Sequence, residues 1–349
     1  MGLFLDGPIP LDATATYTQG VPIPSNLAFS NLFPRKDFDT DTVDFGTIIH
    51  TNRAAQFRNW DGSVWVSARD TGSERRVKML PLSAKLFEGE YERRQREFAA
   101  NGSTFTQKLV TAVYNDLDSL TAQAYNRVEL AWGDVLADGV LTINENGVQQ
   151  QIDFGVPGNQ ITAPGTLWSD TTNSTPLTDL VAWSDVYEAT NGVTPGRIAT
   201  SRTVRRLVER NKEIINAIYG STVGKTRVTT AELNALLESE GLPQFGTDYN
   251  SNFQVDSDNG ALVNQRVLAE NKLLFLPENM GELGFTAWGT PTTAMELQSR
   301  NVQLNTGAGI VGVIVREDGI PFRKYTYVDA VALPVIGDPR KLMISTVIA

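Results

Sequence analysis

Apolar residues recur at three- and four-residue steps from about Thr106 to Asp138: Val110, Val113, Tyr114, Leu117, Leu120, Ala124, Val128, Ala131, Trp132 and Val135. That spacing is helical. Asp116, Asp118, Gln123, Arg127 and Glu129 fill much of the remaining circumference as a polar face, and Gly139 stands where a helix-ending glycine belongs. At 1.5 Å per residue the rod is about 45–50 Å long, a structural spine rather than an ordinary domain helix. Further helices are predicted at 177–191, 201–218 and 230–240.

Elsewhere the period shortens to two. Phe45 to Leu82 reads as a long two-stranded loop, with turn signals in NWDGS (59–63) and RDTGSE (69–74), bearing Arg75, Arg76 and Lys78. VLTIN, a turn at ENG (145–147) and VQQQIDF make a hairpin, and DNG (258–260) marks another hairpin turn. LLFLP (273–277) is a buried strand, and the tail from GVIVRED to GIPFRKYTYVDAVALPVI gives strands joined by a tight turn. Residues 1–46 hold Pro8, Pro10, Pro22, Pro24 and Pro34 and no helical period, which predicts an extended arm that lies against something else, such as another subunit. PGNQITAPGTLWSDTTNSTP is loop-rich and marks a boundary near residue 165. The class is α+β, closing in strands after an α-rich insertion, without internal repeats.

Composition narrows the function. The 349 residues are 41% apolar and 20% charged, enough for about two globular domains. A net charge of −10 disfavours tight nucleic-acid binding, although basic residues concentrate between Arg53 and Arg96. With no cysteine and a single histidine, His50, disulfides, thiolate metal sites, cysteine nucleophiles and multi-histidine metal sites are excluded. MGLFLDGPIP lacks a basic n-region, Asp6 spoils a myristoylation signal, and no apolar stretch reaches membrane-spanning length. The expectation is a soluble protein that stays where it is made.

The most enzyme-like stretch is GSTVGKT (220–226). A phosphate loop needs a glycine five residues before Gly224, where this chain has Tyr219, and it must follow a strand and open a helix. Here a helical stretch precedes it, so Gly220 is read as a helix cap, KTRV as a strand, and Thr229 with Glu232 as a capping box for the next helix. Asp37, Asp39 and Asp41 alternate like a calcium loop, but Thr42 and Ile48 stand where it needs Gly and Glu; Asp256 and Asp258 border a turn. Asp116 and Asp118 diverge by about 200° on a helix, and His50 lies in a strand-like stretch. No nucleophile, base and oxyanion site assemble, so no catalytic residue, metal site or cofactor is expected. The six tryptophans are explained best by core or interface packing; the Arg-rich 53–96 stretch reads equally as a solvated face or an interface, and on the interface reading Trp60, Trp65, Arg75, Arg76 and Lys78 are the candidate inter-subunit contacts.

Three islands carry a family resemblance. YNRVELAWGDVLADGVLTINENGVQQQIDFG (125–155) resembles the helix-to-hairpin junction of the lambda-type phage major capsid proteins. DYNSNFQVDSDNGALVNQRVLAENKLLFLPENMGELGFTAWGTP (248–291) is similar to that family's stretch through its buried strand, and RKYTYVDAVALPVIGDPRKLMIS (323–345) resembles its C-terminal segment. The ordered set spans the latter two-thirds of the chain; the first hundred residues match in layout rather than motif.

The resemblance implies the Hong Kong 97-type capsid fold. Its parts here would be an N-terminal arm (1–45), an extended loop (46–82), a peripheral domain (83–165), an axial domain (166–309) and a C-terminal return to the peripheral domain (310–349). It implies self-assembly into hexamers and pentamers of an icosahedral shell, assembled in the host cytoplasm and enclosing double-stranded DNA held only by weak contacts. Scaffolding would come from a separate protein, with portal and decoration proteins as further partners and no membrane. Some relatives join subunits by a lysine–asparagine bond; Lys78 is suitably placed, but residues 310–349 hold no asparagine, so no such bond is expected. The alternatives are an encapsulin-like nanocompartment shell, a nucleotide-binding enzyme using residues 220–226, and, with less support, a tail or fibre protein.

Overall fold

A computed structural model describes residues 2–3, 11–40, 42–49, 71–89, 105–145, 147–221, 224–256, 261–302, 304, 309–317 and 323–349. The chain divides into two compact units, each built from three separate segments.

The first unit comprises Met1–Val43, Lys78–Trp132 and Phe285–Val335. Its six-stranded sheet runs in the order Gly2–Leu3, Ile310–Glu317, Arg323–Ile336, Gly284–Trp288, Arg35–Asp37, with Pro81–Glu88 also paired to Arg323–Ile336. The central hairpin is in continuous antiparallel register from Ile310↔Ala330 to Glu317↔Arg323; its turn lies outside the described residues. Val311 and Val313 put alternate side chains into a core with Ala15, Ala294 and Leu297. Gly312 is required by close packing: a Cβ there would meet the Thr18 hydroxyl oxygen at 2.2 Å and Leu117 at 2.6 Å.

The N-terminal region departs from the extended arm predicted. Leu11–Gly20 and Ala28–Leu32 are helices, and the first lies against Ile310–Glu317. Its buried residues are Thr14, Ala15 and Thr18, a helical spacing hidden from hydropathy because two of the three are threonines. The second helix contributes Phe29, fully buried. Glu129, read above as part of a polar face, is fully buried too. Its carboxylate accepts from the amides of Phe29 (2.9 Å) and Ser30 (2.7 Å) and from the Ser30 hydroxyl (2.7 Å), satisfying the open amides at that helix's start. Trp132 stacks on Phe33 with ring centroids 3.5 Å apart and donates its indole N–H to the Thr286 hydroxyl at 2.9 Å.

The second unit comprises Asp44–Val77, Gly133–Gly284 and Ile336–Ala349. Its five-stranded sheet has the order Phe245–Asp248, Arg197–Thr200, Lys272–Leu276, Met343–Thr346, Ile161–Thr162. The three middle strands are antiparallel and each outer strand is parallel to its neighbour. Lys272–Leu276 is the buried strand read from LLFLP. Helices Pro176–Asn191, Arg202–Val208, Lys212–Tyr219 and Thr230–Ser239 pack Leu180, Tyr187, Val204, Ile214 and Leu233 into the same core as Phe275 and Met343.

The single helix predicted over 201–218 is two. Asn211 interrupts it, accepting from the Glu213 amide at 2.8 Å and donating to Ser174, so a fully buried asparagine caps a new helix. The long helix spans Phe105–Asp138 and ends at Gly139, where φ is +81°. Among the described residues there are also three two-stranded pairs: Thr42–Ile49 with Thr71–Lys78, Val140–Glu145 with Val148–Asp153, and Asn252–Asp256 with Leu262–Arg266. Thr71–Lys78 takes in most of RDTGSE as strand, where a turn was expected; NWDGS and the DNG turn lie outside the described residues.

Candidate functional site

The enzyme-like stretch resolves into helix punctuation. Lys212–Tyr219 ends at Gly220, φ +78°, whose amide donates to the Asn216 carbonyl at 2.9 Å. No strand precedes the loop, and residues 225–229 are irregular rather than the strand expected. Lys225, the residue a phosphate would need, sits 3.9 Å from the centroid of the Tyr219 ring as a cation–π contact. Thr229 and Glu232 make the expected capping box. The Tyr219 hydroxyl, then the Thr229 amide and hydroxyl, stabilise the Glu232 carboxylate and draw its pKa down to about 2. Two of the loop's seven residues, 222 and 223, lie outside the described ones.

Two of the remaining acidic residues have local partners, while Asp41 and Asp258 lie outside the described residues. Asp37 is bound by Arg35 at 2.8 Å on the surface, and Asp118 accepts the Tyr17 hydroxyl at 2.9 Å, which holds the Tyr17 pKa above its ordinary value. Among the described residues no group of three or more His, Cys, Asp and Glu can hold a metal ion, and no helix is long and apolar enough to cross a membrane. His50 lies outside the described residues.

Surfaces offer more than clefts. Arg76, Val77, Lys78 and Met79 alternate exposed and buried, so Arg76 and Lys78 share the outward face of Thr71–Lys78 and its end. Arg75 lies on the same strand, but its side chain is outside the described set, as are Trp60 and Trp65 entirely. Sequence reasoning did not single out the exposed apolar residues Phe87 (52%), Met295 (48%), Leu262 (65%) and Val263 (51%). Apolar residues in a short strand or helix carry no mark of which side they face; the packing of the element supplies that.

One polar network fixes the root of the 252–266 hairpin. Arg205 grips Asp248 through Nε (2.7 Å) and Nη2 (2.9 Å), and its Nη1 reaches Glu209 (2.5 Å) and the Thr230 hydroxyl (2.9 Å). The Arg205 guanidinium holds the Asp248 carboxyl below the usual carboxylate range. Two residues on, Asn250 accepts from the Arg202 amide at 3.2 Å and from Arg266 at 3.0 Å. The hairpin therefore leaves its unit on a rigid base.

Comparison with known proteins fits a protein of surfaces. Residues 12–347 match the family model described as phage major capsid protein E. Among solved structures, a prophage protein of E. coli CFT073 assigned as a capsid protein is 16% identical, with 96% of this chain and 97% of that one covered and a TM-score of 0.58. A phage-related protein from Bordetella bronchiseptica RB50 gives 14%, 95%, 94% and 0.53 for the same measures. The capsid of the native GTA particle gives 9%, 94%, 92% and 0.50. At these identities the likeness is one of fold. No curated protein matches the sequence.

Proposed function

The chain belongs to the phage major capsid protein E family, and from that premise we propose that its copies assemble as hexamers and pentamers into an icosahedral shell around double-stranded DNA. The observation that carries this is the family match over residues 12–347, nearly the whole chain. Its role is structural and non-enzymatic, and what it recognises is chiefly itself. The net charge of −10 suits a wall that contacts packaged DNA weakly and without sequence preference.

Within that reading the five-part division at 45, 82, 165 and 309 describes an arm, a loop, a peripheral domain, an axial domain and a C-terminal return. The 46–82 loop carries the contacts to a neighbouring copy through Trp60, Trp65, Arg75, Arg76 and Lys78. The outward pair of Arg76 and Lys78 supports this, since basic side chains presented together pair with acidic surface of a chain that is acidic elsewhere. A separate scaffolding protein, a portal and a decoration protein are the further partners, with assembly in the host cytoplasm. Electron microscopy of the purified protein tests the reading: closed shells of uniform diameter are expected. A protein that stays monomeric at high concentration, with or without scaffolding protein, overturns it.

A further inference from the structure

We propose that the hairpin of Asn252–Asp256 and Leu262–Arg266 is a surface through which one copy of this chain meets a second copy, an inference that rests on the assembly reading above. The strands are in unbroken register, Asn252↔Arg266 to Asp256↔Leu262, and among the described residues they join no further sheet. A lone two-stranded hairpin is marginal in water, and this one is secured at its root, where Arg266 also donates to the carbonyls of Tyr249 (3.2 Å) and Leu268 (3.1 Å). Away from the root, Val263 faces the same side as Val255 and Phe253, while Leu262 faces the other. Leu262 is 65% exposed, more than any other large apolar residue described, and Val263 is 51% exposed.

Charge selects the occupant. A chain of net charge −10 repels its own copies over most of its surface, so a contact between copies falls where charge cancels. The ten strand residues carry one acid, Asp256, and one base, Arg266, which is turned onto its own chain. The other exposed polar residues include the amides Gln254, Asn264 and Gln265. Each amide has both donor and acceptor, so the surface is compatible with an identical one. A partner of different composition and opposite charge would be met by a charged face, which this is not.

The absence of cysteine makes the test clean. Leu262→Cys introduces a single thiol, and Ser239→Cys, at the exposed end of helix Thr230–Ser239, serves as reference. Maleimide labelling rates are measured on assembled particles and on dissociated chains. The expected result is at least a tenfold slowing on assembly at Leu262→Cys relative to Ser239→Cys. In parallel, Leu262→Asp with Val263→Asp lowers particle yield several-fold while melting temperature and circular dichroism stay as in the parent, and Leu262→Met assembles normally. Equal slowing at both thiols, or unimpaired assembly of the double aspartate variant, overturns the proposal while leaving the assembly reading intact. Failure of the parent protein to form particles overturns both.

Discussion

Two buried positions show how much a single residue decides. A Cβ on Gly133 would lie 1.9 Å from the carbonyl oxygen of Val267, a backbone atom with no rotamer to escape into. Gly133→Ala is therefore expected to cost at least about 1–3 kcal/mol, seen as a lower melting temperature, whereas Gly246→Ala, with nothing within 4 Å, leaves it unchanged. Glu129 gives a second prediction. Glu129→Ala leaves the amides of Phe29 and Ser30 without their acceptor and should cost about 2–4 kcal/mol, with Glu129→Gln milder because it keeps one acceptor oxygen; urea midpoints measure both. Gly139 could be read from the sequence because helix ends have their own chemistry. Gly133 and Glu129 could not: a glycine within a helix and an acid among apolar residues take their meaning from a partner about a hundred residues away or more.

At the scale of elements, the periodic segments were readable and the weakly periodic ones were not. The long helix, the 140–153 hairpin and the capping box at Thr229 follow from local spacing alone. The helix Leu11–Gly20 escaped because threonines and an alanine form its buried stripe, and its packing on Ile310–Glu317 changes what truncation should do. Removal of residues 1–33 takes away Ala15, Leu27 and Phe29, all fully buried, so the variant is expected to melt earlier or to be insoluble rather than merely to assemble poorly. A pH dependence belongs to the joint between helix Arg202–Val208 and strand Phe245–Asp248. Arg205 depresses the folded-state pKa of Asp248 below its unfolded value of 3.8. Its stabilisation is therefore present above that value and is lost as pH falls below it through the folded one. In urea titrations from neutral pH into acid, Asp248→Asn should be less stable than the parent at neutral pH and should show a shallower loss toward acid.

For the whole molecule, function was readable only through ordered resemblance along the chain; composition alone excluded chemistries without choosing a role. The family match converts that resemblance into membership, while the proposed contact residues Trp60 and Trp65 stay outside the described structure. The loop at 220–226 gives a separate check. Lys225 already rests on Tyr219, so titration with ATP or GTP is expected to give no saturable binding, and Lys225→Ala should leave particle formation unchanged by electron microscopy.

The interleaving of the two units has a consequence for biosynthesis. The chain passes from one to the other at 43/44, 77/78, 132/133, 284/285 and 335/336. Arg323–Ile336 pairs with three strands of the first sheet, and Met343–Thr346 lies inside the second. A ribosome that still holds residues 323–346 in its exit tunnel therefore withholds an interior strand from each unit. Domain-by-domain maturation from the N-terminus is closed to this polypeptide. Both strands must leave the tunnel before either unit can finish folding, so a nascent chain cannot join a growing shell until then.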